Sequence, residues 1–213
     1  MIWDSKNLIA VKDLPWFLFF GSLWGINELI TGEILSAREV ESTSLILTAM
    51  AIFILAVSRG LINKPGSSTL IGIIALLFKL IHVAPFYCHL AAIFLLGFIF
   101  DLFSSVLLRE KRVSFLKQAL NGSAAAFFNN AVFGIFMTYV FRYKYWITNG
   151  NQKMIEHILT GGSLLAFISL FFSPLGFKIG VFLKKISLKQ PAWALAASSA
   201  GSIAIWLIGR FAS

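Results

Sequence analysis

The chain has 213 residues, of which 58% are apolar and 13% charged, and its mean hydropathy is +0.85. Soluble domains carry about 25% charged residues, so the composition excludes an ordinary soluble domain and predicts an integral membrane protein. A membrane-spanning backbone satisfies its hydrogen bonds in helices or a closed barrel, and the polar alternation of barrel strands is absent. We therefore expect one all-α membrane domain over residues 1–213, a polytopic bundle of six or seven transmembrane helices.

Seven apolar segments approach the ~20 residues that cross a ~30 Å hydrocarbon core. They lie near 14–36, 45–62, 68–84, 88–108, 119–141, 159–183 and 191–211. The first and third leave the number open between six and seven. The first contains Asn27, Glu28 and Glu33, whereas the third is short and contains Lys79.

Small residues recur at helical spacing in the first and last predicted spans. They are Gly21, Gly25, Ala194, Ala197, Gly201 and Ala204. Small residues let helix backbones approach closely in a membrane. We interpret them as positions of tight packing rather than as a dimerisation motif.

Basic residues in the loops predict the orientation of the chain. The side of the N-terminus holds Lys6, Lys12, Arg59, Lys64, Arg109, Lys111, Arg112, Lys117, Lys184, Lys185 and Lys189. The other side holds Arg38, Arg142, Lys144, Lys153 and Arg210. Because cytoplasmic loops carry the excess of Lys and Arg, we expect a multi-pass membrane protein with its N-terminus in the cytoplasm. We expect it in the cytoplasmic membrane, which is the inner membrane in cells that have two membranes. The net charge of +9 then requires no nucleic acid, since a basic collar suits anionic lipids or an acidic partner.

With this orientation, polar groups from distant parts of the sequence converge on the outer face. The predicted substrate-binding residues are Glu28, Lys79, His82, Cys88, His89, Tyr145, Trp146 and His157. The last three belong to the predicted fifth loop. Small-molecule sites are commonly concave, aromatic-lined and furnished with a few polar groups, so we expect a ligand site at this external mouth.

Depth along the helices suggests which of the buried charges meet. Glu28 and Lys79 lie at levels that differ by only about 4–5 Å at ~1.5 Å per residue. An ion pair between them is feasible, as a helix tether or as a ligand contact. Asp101 lies roughly 12 Å deeper than Lys79 by the same rise. We expect it to be structural, near Asn129 and Asn130 or a helix end close to the cytoplasm.

The only cysteine, Cys88, is either a small packing residue or a single axial ligand to a metal already held by an organic cofactor. A dedicated zinc site is a further alternative, but Cys88 and His89 could hold one ion only if the chain is irregular there, since adjacent residues of a helix point about 100° apart. His82 and His89 flank Pro85, so they do not form a spaced haem-binding pair on one continuous helix, although His157 could join either of them. No catalytic motif stands out, and we expect no enzyme.

Three segments resemble a known family. They are "FFGSLWGINELITGEIL", "NKPGSSTLIGIIALLFKLIHVAP" and "LAAIFLLGFIFDLFSSVLL", the last with a GxxxD pattern from Gly97 to Asp101. These segments are similar to the substrate-binding membrane subunits, called S components, of energy-coupling-factor (ECF) vitamin transporters. The resemblance covers the first 110 residues best.

The resemblance implies a bundle of about six helices that takes up a vitamin or metal-containing micronutrient at its outer face. It also implies a transmembrane coupling subunit with ATPases as partners, docked at Gly21 and Gly25 of the first helix. The basic clusters that contain Arg109, Arg112, Lys184 and Lys185 are further docking candidates. Solitary cobalamin-importing relatives use a cysteine as an axial cobalt ligand, and Cys88 lies in a comparable place.

Two other functions remain open at this point. The chain could be the membrane anchor of a redox or biosynthetic complex, binding haem or a quinone through His82, His89 and His157. It could also be a purely structural assembly subunit whose 22 Phe and 6 Trp serve packing and lipid contact.

Overall fold

The computed structural model describes residues 9–40, 42–82, 87–110, 113–189 and 191–212, with the side chains of 82, 188–191 and 212 left undescribed. Its helices are α1 (Leu14–Ala37), α2 (Thr43–Leu61), α3 (Ser67–His82), α4 (Tyr87–Leu107), α5 (Phe115–Ile135), α6 (Lys144–Glu156), α7 (Ser163–Lys189) and α8 (Pro191–Ala212). These ranges contain no β-strand. The predicted all-α class is confirmed, and each predicted span coincides with a helix.

Within the described ranges, five helical segments are long and apolar enough to cross a membrane. They are Thr43–Leu61, Tyr87–Leu107, Phe115–Val140, Lys144–Ser187 and Ala192–Phe211. Ser67–Ile81 is an apolar but shorter helix. The protein is therefore a membrane-embedded helical bundle, and α1 and α3, the two uncertain spans of the sequence, are the two that fall outside the set of five.

The prediction of a fifth loop over residues 142–157 is wrong, because the segment is helical from Lys144. A π-helical turn over Phe136–Val140 extends α5, and another over His157–Gly162 joins α6 to α7. Gly150 interrupts α6 with φ 66° and ψ −169°, a conformation that glycine adopts without strain. The polar composition of the segment predicts a loop, whereas a helix outside the hydrocarbon core needs only one buried face. Trp146 supplies that buried contact, since its ring packs edge-on against Phe133 and His157.

Glycines bring α2 and α7 into direct backbone contact. A Cβ atom added to Gly180 would collide with the carbonyl oxygen of Val57, and one added to Gly60 would collide with that of Phe177. At Gly176 the added Cβ would lie 2.7 Å from the carbonyl oxygen of Phe53. Only glycine permits this approach. Gly176 and Gly180 form a GxxxG pair that the sequence analysis missed.

The small residues of α1 pack against α3, which confirms their interpretation as packing positions. A Cβ at Gly21 would lie 2.5 Å from Cβ of Ile74, and one at Gly25 would lie 2.6 Å from Cβ of Phe78. Both glycines are buried. They face α3 within the chain, and their expected role in docking a partner subunit stays a prediction.

A buried ion pair between Arg59 and Asp101 fixes the beginning of α3. The Asp101 carboxylate also accepts hydrogen bonds from the backbone N–H of Gly66 at 3.0 Å and of Thr69 at 3.1 Å. Gly66 directly precedes α3 and Thr69 lies in its first turn, where backbone N–H groups have no partner within the helix. Asp101, which belongs to α4, therefore caps the N-terminal end of α3. This agrees with the expectation that Asp101 has a structural role near a helix end. Asn130 instead donates to the carbonyl oxygen of Ala126.

Candidate ligand-binding cavity

A cavity of about 490 Å³ lies at the end of the bundle where α1 ends and α2 begins, hereafter the cavity end. Its volume falls within the ~300–1,000 Å³ typical of small-molecule sites. The apolar wall consists of Trp24, Leu29, Leu47, Ala92, Ile93 and Leu96. The polar lining consists of Glu28, Glu33, Ser36, Thr43, Ser44, Thr48, Lys79, His89 and Asn129. The lining comes from α1 to α5, so chain segments far apart in sequence build one site.

An ion pair forms the floor of the cavity. Nζ of Lys79 donates to Oε2 of Glu28 at 3.2 Å, and the two side chains are each 10% exposed. Nε1 of Trp24 donates to Oε1 of the same carboxylate at 3.2 Å. The predicted ion pair is thus confirmed. A lone charge at this depth would be costly, and here each oxygen of the carboxylate has a donor.

Local packing explains why these three side chains meet. Trp24 and Glu28 are four residues apart in α1 and therefore lie on the same face of the helix. Gly25, between them, has no side chain to hold α3 away, so Phe78 packs directly against it. The adjacent residue of α3, Lys79, then lies within reach of Glu28.

Hydroxyl groups and a carboxylate line the cavity near its opening. Ser36 of α1 and Thr48 of α2 lie there with Glu33. Thr48 donates to the carbonyl oxygen of Ser44 at 2.7 Å, so its hydroxyl can still accept a hydrogen bond. Glu33 is exposed and has neither an ion pair nor a hydrogen bond with another residue in the described ranges. Its carboxylate is therefore available to a ligand.

Asn129 of α5 contributes a buried amide to the cavity lining. The residue is 6% exposed, and its Oδ1 atom has no hydrogen-bond partner within the described part of the chain. Buried polar atoms are nearly always paired. Asn129, expected from the sequence to be a structural neighbour of Asp101, is thus a site residue that the sequence did not predict.

Four other predicted site residues, Cys88, Tyr145, Trp146 and His157, do not line this cavity. Cys88 is partly exposed near the start of α4, and Tyr145 is 53% exposed. Trp146 and His157 form a separate aromatic cluster with Phe133. The side chain of His82 lies outside the described residues. The expected single mouth is therefore divided, with Glu28, Lys79 and His89 in the cavity and the aromatic residues elsewhere.

No group of three His, Cys, Asp or Glu side chains suited to a metal ion occurs in the described ranges. His89 lines the cavity, whereas His157 belongs to the aromatic cluster. These histidines thus belong to two different groups of side chains. Cys88, the proposed axial ligand, is not part of the cavity lining.

The candidate docking residues Arg109, Lys184 and Lys185 are exposed. They follow or end α4 and α7, whose C-terminal ends lie opposite the cavity end. Arg112 lies outside the described residues. A basic surface and a concave polar site therefore occupy opposite ends of one bundle.

Comparison with known proteins adds no assignment, since no family model, curated protein or solved structure matches the chain.

Proposed function

We propose that this protein is a membrane-embedded solute-binding subunit of a transporter. The observation that carries the proposal is the 490 Å³ cavity whose floor is the Glu28–Lys79 ion pair. Ionisable side chains inside membrane helices are costly and commonly mark ligand or ion sites. The apolar wall provides contact for the body of a small molecule, and the polar lining orients it.

The arrangement of the two ends of the bundle supports a role like that of an S component. The excess of basic loop residues favours a cytoplasmic location for the N-terminus, so the cavity end would face the outside of the cell. Arg109, Lys184 and Lys185 would then face the cytoplasm. There they could meet a coupling subunit with its ATPases or anionic lipid headgroups.

A vitamin-sized organic molecule fits this proposal better than a corrinoid or haem. The cavity is in the range used for drug-sized ligands. Cys88 does not line it, so the thiol has no position from which to bind a cobalt ion held there. A haem held by two histidines would need both on one site, and His89 and His157 belong to different groups.

Native mass spectrometry of protein extracted gently from its own membrane tests the proposal. The wild-type protein should retain a small molecule, and any attached subunit should appear in the same spectrum. Gly32→Phe should fill the cavity, because a Cβ at Gly32 meets only ordinary contact with Leu47 at 3.6 Å. Val106→Phe is the control, since Val106 is 76% exposed and lies outside the cavity.

Loss of the retained molecule in Gly32→Phe but not in Val106→Phe would support capture in this cavity. A wild-type spectrum with no small molecule, or equal retention in both variants, would contradict it. An absorbance spectrum of the same sample with a Soret band that shifts on reduction would favour the redox-anchor function instead.

A further inference from the structure

We infer that the ligand carries a protonated nitrogen with N–H donors, joined to an apolar body. The inference rests on the proposed function and concerns the chemical class of the captured molecule. Three observations carry it. The carboxylate of Glu33 is available, Oδ1 of Asn129 has no hydrogen-bond partner in the described ranges, and Glu28 and Lys79 are already paired with each other.

The charges of the cavity favour a cation. Among its lining residues are two carboxylates, Glu28 and Glu33, and one ammonium, Lys79. Lys79 is bonded to Glu28, so these two charges compensate each other. Glu33 is left with a negative charge, and His89 is the remaining ionisable group of the lining, with a neutral imidazole as its ordinary form at neutral pH. The lining therefore has a net negative charge, which favours a cation over an anion.

The hydrogen-bonding groups point to the same ligand class. Both oxygens of Glu28 already accept hydrogen bonds, from Trp24 and from Lys79. Two of the groups that remain available at the cavity are acceptors only, the Glu33 carboxylate and Oδ1 of Asn129, and the hydroxyls of Ser36 and Ser44 beside them can donate or accept. A buried acceptor without a donor is unfavourable. A ligand that brings N–H donors would satisfy it, whereas a carboxylate brings acceptors alone.

An anionic ligand would meet two obstacles. It would have to compete with Glu28 for the ammonium of Lys79, which is buried with its partner. It would also lie near the like charge of Glu33 at the same cavity. A neutral ligand would avoid the repulsion but would leave the Glu33 charge without a counter-ion.

The apolar wall indicates that the rest of the ligand is apolar. Leu29, Ile93 and Leu96 line the cavity beside the polar groups and are each less than 10% exposed. They provide contact for a hydrocarbon or aromatic body. Suitable ligands are primary amines, amidines and protonated nitrogen heterocycles with an apolar part.

Three probes that share a phenyl body and differ in their head group test this inference. They are phenethylamine, 2-phenylethanol and 3-phenylpropionate, a cation, a neutral alcohol and an anion at neutral pH. Binding is measured by equilibrium dialysis against the full chain in nanodiscs of zwitterionic lipid. Empty nanodiscs give the lipid contribution, which is subtracted.

We expect the amine to bind about twofold to fivefold more tightly than the alcohol, the upper part of the range for an exposed charge pair. The propionate should bind most weakly. Glu33→Gln should abolish the preference for the amine. Glu39→Gln is the matched control, because Glu39 is an exposed carboxylate at the same end of the bundle that does not line the cavity. It should leave the preference unchanged.

Two results would overturn the inference. One is propionate binding at least as tight as that of the amine, and the other is an amine preference that persists in Glu33→Gln. Equal or undetectable binding of all three probes would also count against it. The native mass spectrum separates this failure from failure of the proposed function. An anionic or neutral molecule that Gly32→Phe loses would refute the cationic ligand and leave solute capture intact, whereas absence of any retained molecule would refute solute capture.

Discussion

Arg59 of α2 and Asp101 of α4 form an ion pair whose side chains are 1% and 6% exposed. Asp101 holds the first turn of α3, and Arg59 donates through Nε to the hydroxyl of Ser68 at 2.9 Å and through a guanidinium N–H to the carbonyl oxygen of Lys64 at 2.7 Å. The pair therefore connects three helices and their loops at the end opposite the cavity. Its place in the structure suggests that it stabilises the bundle without touching a ligand.

Asp101→Leu should destabilise the protein by about 3–5 kcal/mol, because removal of one partner leaves a buried charge unpaired. Thermal unfolding in detergent micelles would measure the loss. The combined variant Arg59→Met with Asp101→Leu should recover part of it, since no charge then remains buried. Glu110→Gln is the control. It breaks the exposed pair with Lys117 and should cost at most about 1 kcal/mol. A stable Asp101→Leu protein would contradict this role.

Glu28→Gln should weaken retention of the captured solute more than Asp101→Asn does. The first change leaves the ammonium of Lys79 without its counter-ion at the cavity floor, whereas Asp101 lies at the opposite end. Native mass spectrometry would give the retained fraction, corrected for folded protein by size-exclusion chromatography. Glu156→Gln is the matched control, since its exposed pair with Lys153 lies on α6, outside the cavity. Equal effects of all three changes would argue against the cavity as the site.

Gly180→Ala should lower the thermal unfolding temperature strongly, because the added methyl group would collide with the backbone of α2 at Val57. Overpacking of this kind costs about 1–3 kcal/mol or more. Gly32→Ala is the control, since its new methyl group would meet only Leu47 at 3.6 Å. An unchanged unfolding temperature in Gly180→Ala would show that α2 and α7 do not approach so closely.

Cys88 should react with a membrane-impermeant maleimide from outside the cell. It is partly exposed near the start of α4, at the cavity end, and it is the only cysteine of the chain. Ser114 lies at the opposite end, exposed at the start of α5. In the variant Cys88→Ser with Ser114→Cys, the new thiol should react only after the membrane is permeabilised. The reverse pattern would invert the orientation and place the cavity at the cytoplasmic face.

Sequence reasoning identified the seven apolar helices, because apolar length is a direct requirement of the bilayer, and it missed the polar α6. It also identified the Glu28–Lys79 pair, because the helical rise converts position along a span into depth. Depth alone does not say which helices are neighbours. For this reason the aromatic cluster of Trp146 and His157 was assigned to the same site as Lys79, although it lies against Phe133 instead.

The sequence did not predict two other features, because the residue type and its position along the chain do not show whether a side chain is buried. Arg59 was counted as a loop charge near the predicted end of its span, yet it is almost fully buried and neutralises Asp101. Asn129 is one of two adjacent asparagines, and nothing in the sequence distinguishes the one that lines a cavity from the one that bonds to its own helix. Such distinctions depend on how α5 is rotated about its axis, which a single span does not reveal.

The Glu28–Lys79 contact has a consequence for biogenesis. It joins α3, which is too short for an independent membrane span, to α1, which is long enough but lies outside the set of five apolar spans. A nascent α1 that enters the bilayer alone would expose an ionised Glu28 to lipid, which is unfavourable. We therefore expect α1 to remain beside the translocon or at the lipid headgroups until α3 has been synthesised. The two would then enter the membrane together, with the positive and negative charges already neutralised.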